Sequence, residues 1–182
     1  MSEILGALFK YLLALLAITA VVVVLYEALS SNKSATAVSD LTTLQADVNE
    51  LYAGANAATL SNSAATPITQ DLATSSSAPS SMISSNTLIN PWGGAVVVSV
   101  IGAGATTGSP AQGIIEFDSV PNDGCAKLAS SLFPSMQSIT INGQAATSVT
   151  NAISDCGQTP AVSGSTAGTT ASNKLIFTFN LT

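Results

Sequence analysis

The chain of 182 residues predicts an α+β fold, a very long N-terminal helix followed by a β-rich head. Three observations carry this prediction. From Ala7 to Ala53 no proline or glycine interrupts a helix. Within that stretch an apolar half passes into a half whose hydrophobic residues recur every three or four positions. Beyond residue 90, short runs alternate apolar and polar side chains with the period of a strand.

The apolar half comes first. Tyr11 to Tyr26 contains no charge, glycine or proline, and the run extends over residues 4–29 if Lys10 and Glu27 are passed over. Since about 20 apolar residues cross a bilayer, this is a membrane-embedded or bundle-buried helix. Lys10, near one end, can lift its amine towards a headgroup. A cleaved secretory signal fits poorly, because the basic leading region and the small-residue cleavage site are both missing. From Ser30 the composition turns polar, yet Val38, Leu41, Leu44, Val48, Leu51 and Tyr52 share one helical face, on which the head is expected to pack. Gly54 is the first credible stop. The result is one helix of about 50 residues, close to 75 Å long, weakest at the β-branched run Val21–Val24. The chain divides accordingly into the apolar helix half, residues 1–30, and a head, residues 31–182, which includes the amphipathic half to about residue 54.

The head follows from local signals. Thr66-Pro67 has the form of an N-cap followed by a first helical proline, predicting a short helix over 67–74. Pro79 opens a single turn through Met82 and Ile83. After Pro91-Trp92-Gly93-Gly94, Ala95 to Ile101 is a strand with Val96, Val98 and Val100 on one face, and Gly102 to Pro110 is a flexible connection. Gly113 to Val120 is a second strand, with Ile115 and Phe117 on one face and Glu116 and Asp118 on the other, in a sheet packed on one side. Pro121-Asn122-Asp123 opens a helix through about Leu132, closed by Phe133-Pro134. Ser138 to Ile141 is a strand ending at Asn142-Gly143, the strongest hairpin signal in the chain. Ser148 to Cys156 is a loop or one helical turn, and Ala161 to Ser172 a polar connection. Lys174 to Leu181 is an apolar last strand, expected inside a sheet.

Composition excludes much. With four lysines, ten acids, no arginine and no histidine, a nucleic-acid surface, an imidazole base and a histidine metal site are all unsupported. Roughly a quarter of the chain is Ser or Thr, and only 8% is charged. The glycines at 102, 104 and 108 lack the helix and the lysine that a phosphate loop needs. Asp118, Asp123 and Asp155 show no calcium-ligand spacing. No catalytic, cofactor-binding or metal residue is named, and the chain is not read as an enzyme. Cys125 and Cys156 both lie beyond the apolar run. If that run places the head outside the cytoplasm they are oxidised to a bridge worth about 3–4 kcal/mol; two buried free thiols are the alternative.

The order of features resembles the type IV pilins, and in particular the type IVb branch that includes conjugative thin-pilus subunits such as PilS. The resemblance rests on the apolar start, the stretch LTTLQADVNELY (Leu41–Tyr52), APSSMISS (Ala78–Ser85) and Asn90-Pro91-Trp92-Gly93-Gly94 before a strand. Val120-Pro121 leading into Gly124-Cys125, then Cys156, and the final LIFTF (Leu175–Phe179) complete it.

The resemblance implies the type IV pilin fold, a long N-terminal α-helix packed on an antiparallel β-sheet, with a disulfide bounding the C-terminal region. It implies a structural major subunit of an extracellular pilus for adhesion, aggregation or conjugative mating contact. The alternative is a minor pilin or type II secretion pseudopilin acting as a tip module. The implied partners are further copies of the chain, the inner membrane before assembly, the assembly machinery there and a prepilin peptidase; no cofactor or nucleic acid is implied. The peptidase would remove a leader and methylate the first residue. The chain is read as mature from Met1, the other reading being a short leader ending at Gly6. Members usually carry glutamate at the fifth mature position to neutralise an N-terminal amine; here that position is Leu5, and Glu3 is the nearest acid. Lys10 lies on the same helical face as Glu3 and can pair with Glu3 of another copy. Met1, Glu3, Lys10, Leu12, Leu15, Leu16, Val22 and Leu25 form the implied assembly set.

Overall fold

The computed structural model describes residues 2–52, 65–102, 110–158 and 172–181; side chains in the first helix are described from Phe9 onward, apart from residues 17, 20, 23–27 and 30. Met1, the side chains of Glu3 and Leu25, the stop at Gly54, most of the glycine-rich connection after Gly102 and the polar connection from Ala161 lie outside that description.

Helix α1 runs unbroken from Ser2 to Tyr52. In its second half Ser34, Ala37, Asp40, Leu41, Leu44 and Val48 are buried, a repeat of three and four that places one stripe against the head. Leu41, Leu44 and Val48 join the core with Val98, Ile115, Phe117 and Phe177. The backbone of α1 runs beside α3 (Asn122–Leu132) and reaches β5 (Gln112–Val120).

The sheet has eight strands among the described residues. Along its main path the order is β2-β3-β4-β5-β8-β6-β7, where β2 is Ile83–Ser84, β3 Thr87–Ile89, β4 Ala95–Ile101, β6 Ser138–Ile141, β7 Gln144–Ala145 and β8 Asn173–Asn180. All pairings are antiparallel. The last strand lies between β5 and β6, so Leu175, Phe177 and Phe179 point into the core. Phe117 and Phe177 meet edge to face with ring centroids 6.0 Å apart, a favoured aromatic geometry. Both outer strands, β2 and β7, are two residues long, too short to template pairing with another chain.

Four local expectations are corrected. Thr66-Pro67 is a strand, β1, paired with Val100 and Ser99 of β4, and helix α2 starts later, at Thr69. Tertiary pairing decides this: the Ile68 amide donates to the Val98 carbonyl at 2.9 Å, and the Thr69 hydroxyl accepts from the Val98 amide at 2.8 Å. The turn from Pro79 is present, with the Met82 amide donating to the Pro79 carbonyl at 2.9 Å, but Ile83 already belongs to β2, and the β2–β3 hairpin turns through Ser85 and Asn86, both at positive φ (49° and 64°). That is the type I′ requirement met without glycine. Residues Val149–Asp155 form a full helix, α4, whose N-cap Ser148 accepts from the Asn151 amide at 3.1 Å. Finally, Leu51 is 38% exposed instead of packed in the head. It lies about 80° round the helix from Leu41, at the end of α1, where it lines an open cleft facing residues 76–79.

Candidate functional site

Two features stand out: a helix whose described side chains are uncovered in its first half, and a head pinned by a disulfide and a buried amide network. Of the thirteen exposed large apolar side chains among the described residues, ten lie on α1 between Phe9 and Leu29. They include Leu12, Leu15, Leu16 and Val22, all more than half exposed, and Lys10 is exposed beside them. Since each residue turns the helix by about 100°, this run presents apolar surface on every side. Among the described residues no helix is long and apolar enough to cross a membrane. The head-facing set divides differently: Leu41, Leu44 and Val48 are fully buried, while Val38 and Tyr52 pack partly buried on the core. Burial, and then Asp71, push the Tyr52 hydroxyl above its ordinary value.

Asp40 is buried on the same helix. One carboxylate oxygen accepts from the Ser81 hydroxyl at 2.8 Å, and Oδ2 has no partner among the described residues. This contact ties α1 to the block Ala78–Ser85.

Cys125 and Cys156 are bonded, with Cα atoms 5.8 Å apart, joining the start of α3 to the end of α4. Around the bridge, buried Asn173 uses both ends of its amide. Its Nδ2 donates to the Val120 carbonyl at 3.0 Å and Asn122 Oδ1 at 2.9 Å, and its Oδ1 accepts from the Gly157 amide at 2.6 Å and from Asn142 Nδ2 at 2.9 Å. Asn142, at the β6–β7 turn, also donates to the Gln158 carbonyl at 2.6 Å and accepts from the Lys174 amide at 3.0 Å. The two asparagines therefore hold β8, α3, the hairpin and the end of α4 at one point. No sequence signal marked Asn173, because its partners are up to 53 positions away.

The Asn-Pro-Trp-Gly-Gly segment is a second clamp. Asn90 Oδ1 accepts from the Trp92 and Gly94 amides, each at 3.0 Å, while its Nδ2 donates to the Asp118 carbonyl at 2.6 Å. That carbonyl precedes a bulge in β5 at Ser119, where φ is 57°. Gly94 passes so close to Asp118 that a β-carbon would collide with its carbonyl.

Of the acids of β5, Glu116 is engaged within the sheet. Glu116 accepts from Lys174 of β8 at 2.6 Å on a partly solvated face. The hydrogen bond to Glu116 raises the Lys174 amine above its ordinary value against a smaller opposing effect of burial. Among the described residues no cluster of His, Cys, Asp or Glu is arranged to hold a metal.

A long helix rooted at one end in an antiparallel sheet, bare at the other and accompanied by one disulfide late in the chain defines a type IV pilin. The chain belongs to the PilS family: the family described as "PilS N terminal" matches residues 31–180. In three dimensions it is similar to the crystal structure of the type IVb pilin from Salmonella typhi. That similarity has a TM-score of 0.54 and 25% identity, over 80% of this chain and 99% of that one. No curated protein matches it in sequence. The protein is thus a type IVb pilin, a structural pilus subunit of a family that self-assembles into filaments.

Proposed function

We propose that this chain is the major subunit of an extracellular type IV pilus, serving adhesion, aggregation or conjugative mating contact. One observation carries the proposal: the head buries a stripe of α1 from Ser34 to Val48, while ten described large apolar side chains between Phe9 and Leu29 stand in the open. Exposed apolar area costs about 25 cal/mol per Å², and side-by-side packing of this half among copies removes that cost in every subunit. A head-to-tail array of this kind does not close and grows as a helix. A compact head without a large insertion, rich in Ser and Thr, favours the repeating subunit over a minor pilin or pseudopilin at a tip.

Before assembly, residues 1–30 rest in the inner membrane, supported by the uncharged run from Tyr11 to Tyr26. The prepilin peptidase and the assembly machinery act there, and residues 31–182 form the unit that folds outside it. Met1, Glu3, Lys10, Leu12, Leu15, Leu16, Val22 and Leu25 then meet other copies, with Glu3 and Lys10 offering opposite charges for pairing in the dry core. Shearing cells and staining the released material tests this. Thin fibres composed mainly of this chain are expected. A chain present only in trace amounts, or monomeric in every detergent-free preparation, would overturn the major-subunit assignment.

A further inference from the structure

Two clefts flank α1, and their chemistry is complementary. The first, about 200 Å³, lies between α1 and α3 and is lined by Ser31, Ser34, Ala35, Val38, Lys127 and Ser131, with Lys127 its one charged group. The second, about 320 Å³, lies between the end of α1 and residues 76–79; it is lined by Asp47 and Glu50 beside Leu51, and holds no cation. Burial and the neighbouring Glu50 carboxylate push the Asp47 carboxyl above its ordinary range, as expected of two like charges side by side without a counter-ion.

The α1 residues lining the two clefts are centred about 150° apart around the helix and, from Ser34 to Asp47, roughly 20 Å apart along it. They therefore face opposite flanks and cannot meet within one molecule. Two different complementary patches on opposite flanks make a heterologous contact, which repeats without closing. We infer that the Lys127 cleft of one copy receives the Asp47–Glu50 edge of its neighbour, so that head-to-head charge pairing sets the lateral register of the filament. This rests on the filament proposal and adds to the apolar packing of α1 a polar contact that selects one stagger, as charge complementarity does at interfaces generally.

Charge reversal in the full-length chain tests the inference, read as the yield of sheared filaments against total cellular chain with its disulfide intact. Lys127→Glu alone and the double change Asp47→Lys with Glu50→Lys are each expected to cut the yield by about tenfold, and the combination of all three to restore it to within about threefold. Lys127→Gln, which removes charge without adding repulsion, covers the case in which reversal stops the chain accumulating. Zero-length carbodiimide coupling of wild-type filaments is expected to join Lys127 to Asp47 or Glu50 of another copy. Single reversals that leave the yield unchanged, or a loss that the combination does not restore, overturn the inference while leaving the filament itself standing. A wild-type chain that forms no filament overturns the filament proposal, and this inference with it.

Discussion

The indole of Trp92 lies against Gly124 so closely that a β-carbon at residue 124 would come within 2.6 Å of the ring. Trp92 belongs to the turn that seats the β5 bulge, and Gly124 precedes the buried half of the disulfide. The contact couples two motifs that lie 32 positions apart in the chain. Gly124→Ala should therefore force the ring outward and destabilise the head by about 1–3 kcal/mol, the usual cost of overpacking. Thermal unfolding and a red shift of the single tryptophan's emission check this; unchanged values for both would refute the contact.

Asn173, itself buried, makes four hydrogen bonds. Asn173→Ala leaves the Gly157 amide and the Val120 carbonyl without this partner, at a cost of about 2–4 kcal/mol. Urea denaturation of the chain should show the midpoint falling accordingly. A loss below about 1 kcal/mol would mean that water replaces the amide.

The Cys125–Cys156 bridge closes a loop of sequence separation 31. By loop-closure entropy, Cys125→Ser should cost about 3–4 kcal/mol and lower filament yield. Treating the wild-type head with reductant should reproduce the loss, and equal yields from oxidising export would count against a stabilising role.

Val22 sits on the bare half of α1, more than half exposed and remote from the buried stripe that begins at Ser34. Val22→Asp should abolish filament formation, since an unpaired carboxylate cannot be buried cheaply among apolar helices. The full-length variant should still form its Cys125–Cys156 disulfide, because Val22 lies outside the head.

Asp155 is partly buried, with Oδ2 lacking a partner among the described residues, and burial raises its carboxyl above the ordinary value. A raised carboxylate contributes stability while protonated, below the unfolded value of 3.8, and loses it as pH rises through the folded value. Its charge is thus a burden at pH 7. Asp155→Asn should raise the melting temperature at neutral pH by about 1–2 °C, and the gain should vanish near pH 3. A gain of equal size at both pH values would assign the effect to packing instead.

Long-period patterns survived the passage from sequence to structure. The unbroken α1, the valine face of β4, the alternation in β5 and β8, and the Asn142-Gly143 turn with φ of 51° and 82° are local chemistry expressed where it stands. Where local and distant preferences competed, distance won. Thr66-Pro67 carries a sound helix-start signal, but the edge of β4 offered the carbonyl and amide of Val98 to the Ile68 amide and the Thr69 hydroxyl, which a helix start at residue 67 could not match. Leu51 obeys the helical period and yet stays half-uncovered, because periodicity names a face without saying where the head ends.

Sequence alone determined that this chain carries a stem apolar on all sides joined to a sheet-forming head, since covalent order and side-chain polarity are properties of the chain itself. Only the tertiary structure decided that β8 lies between β5 and β6, that Asn173 gathers four partners, and that Lys127 and Asp47 face opposite flanks of one helix. Those relationships depend on which distant segments meet. That is set by the joint burial of the whole core and by the need to satisfy each polar group caught inside it.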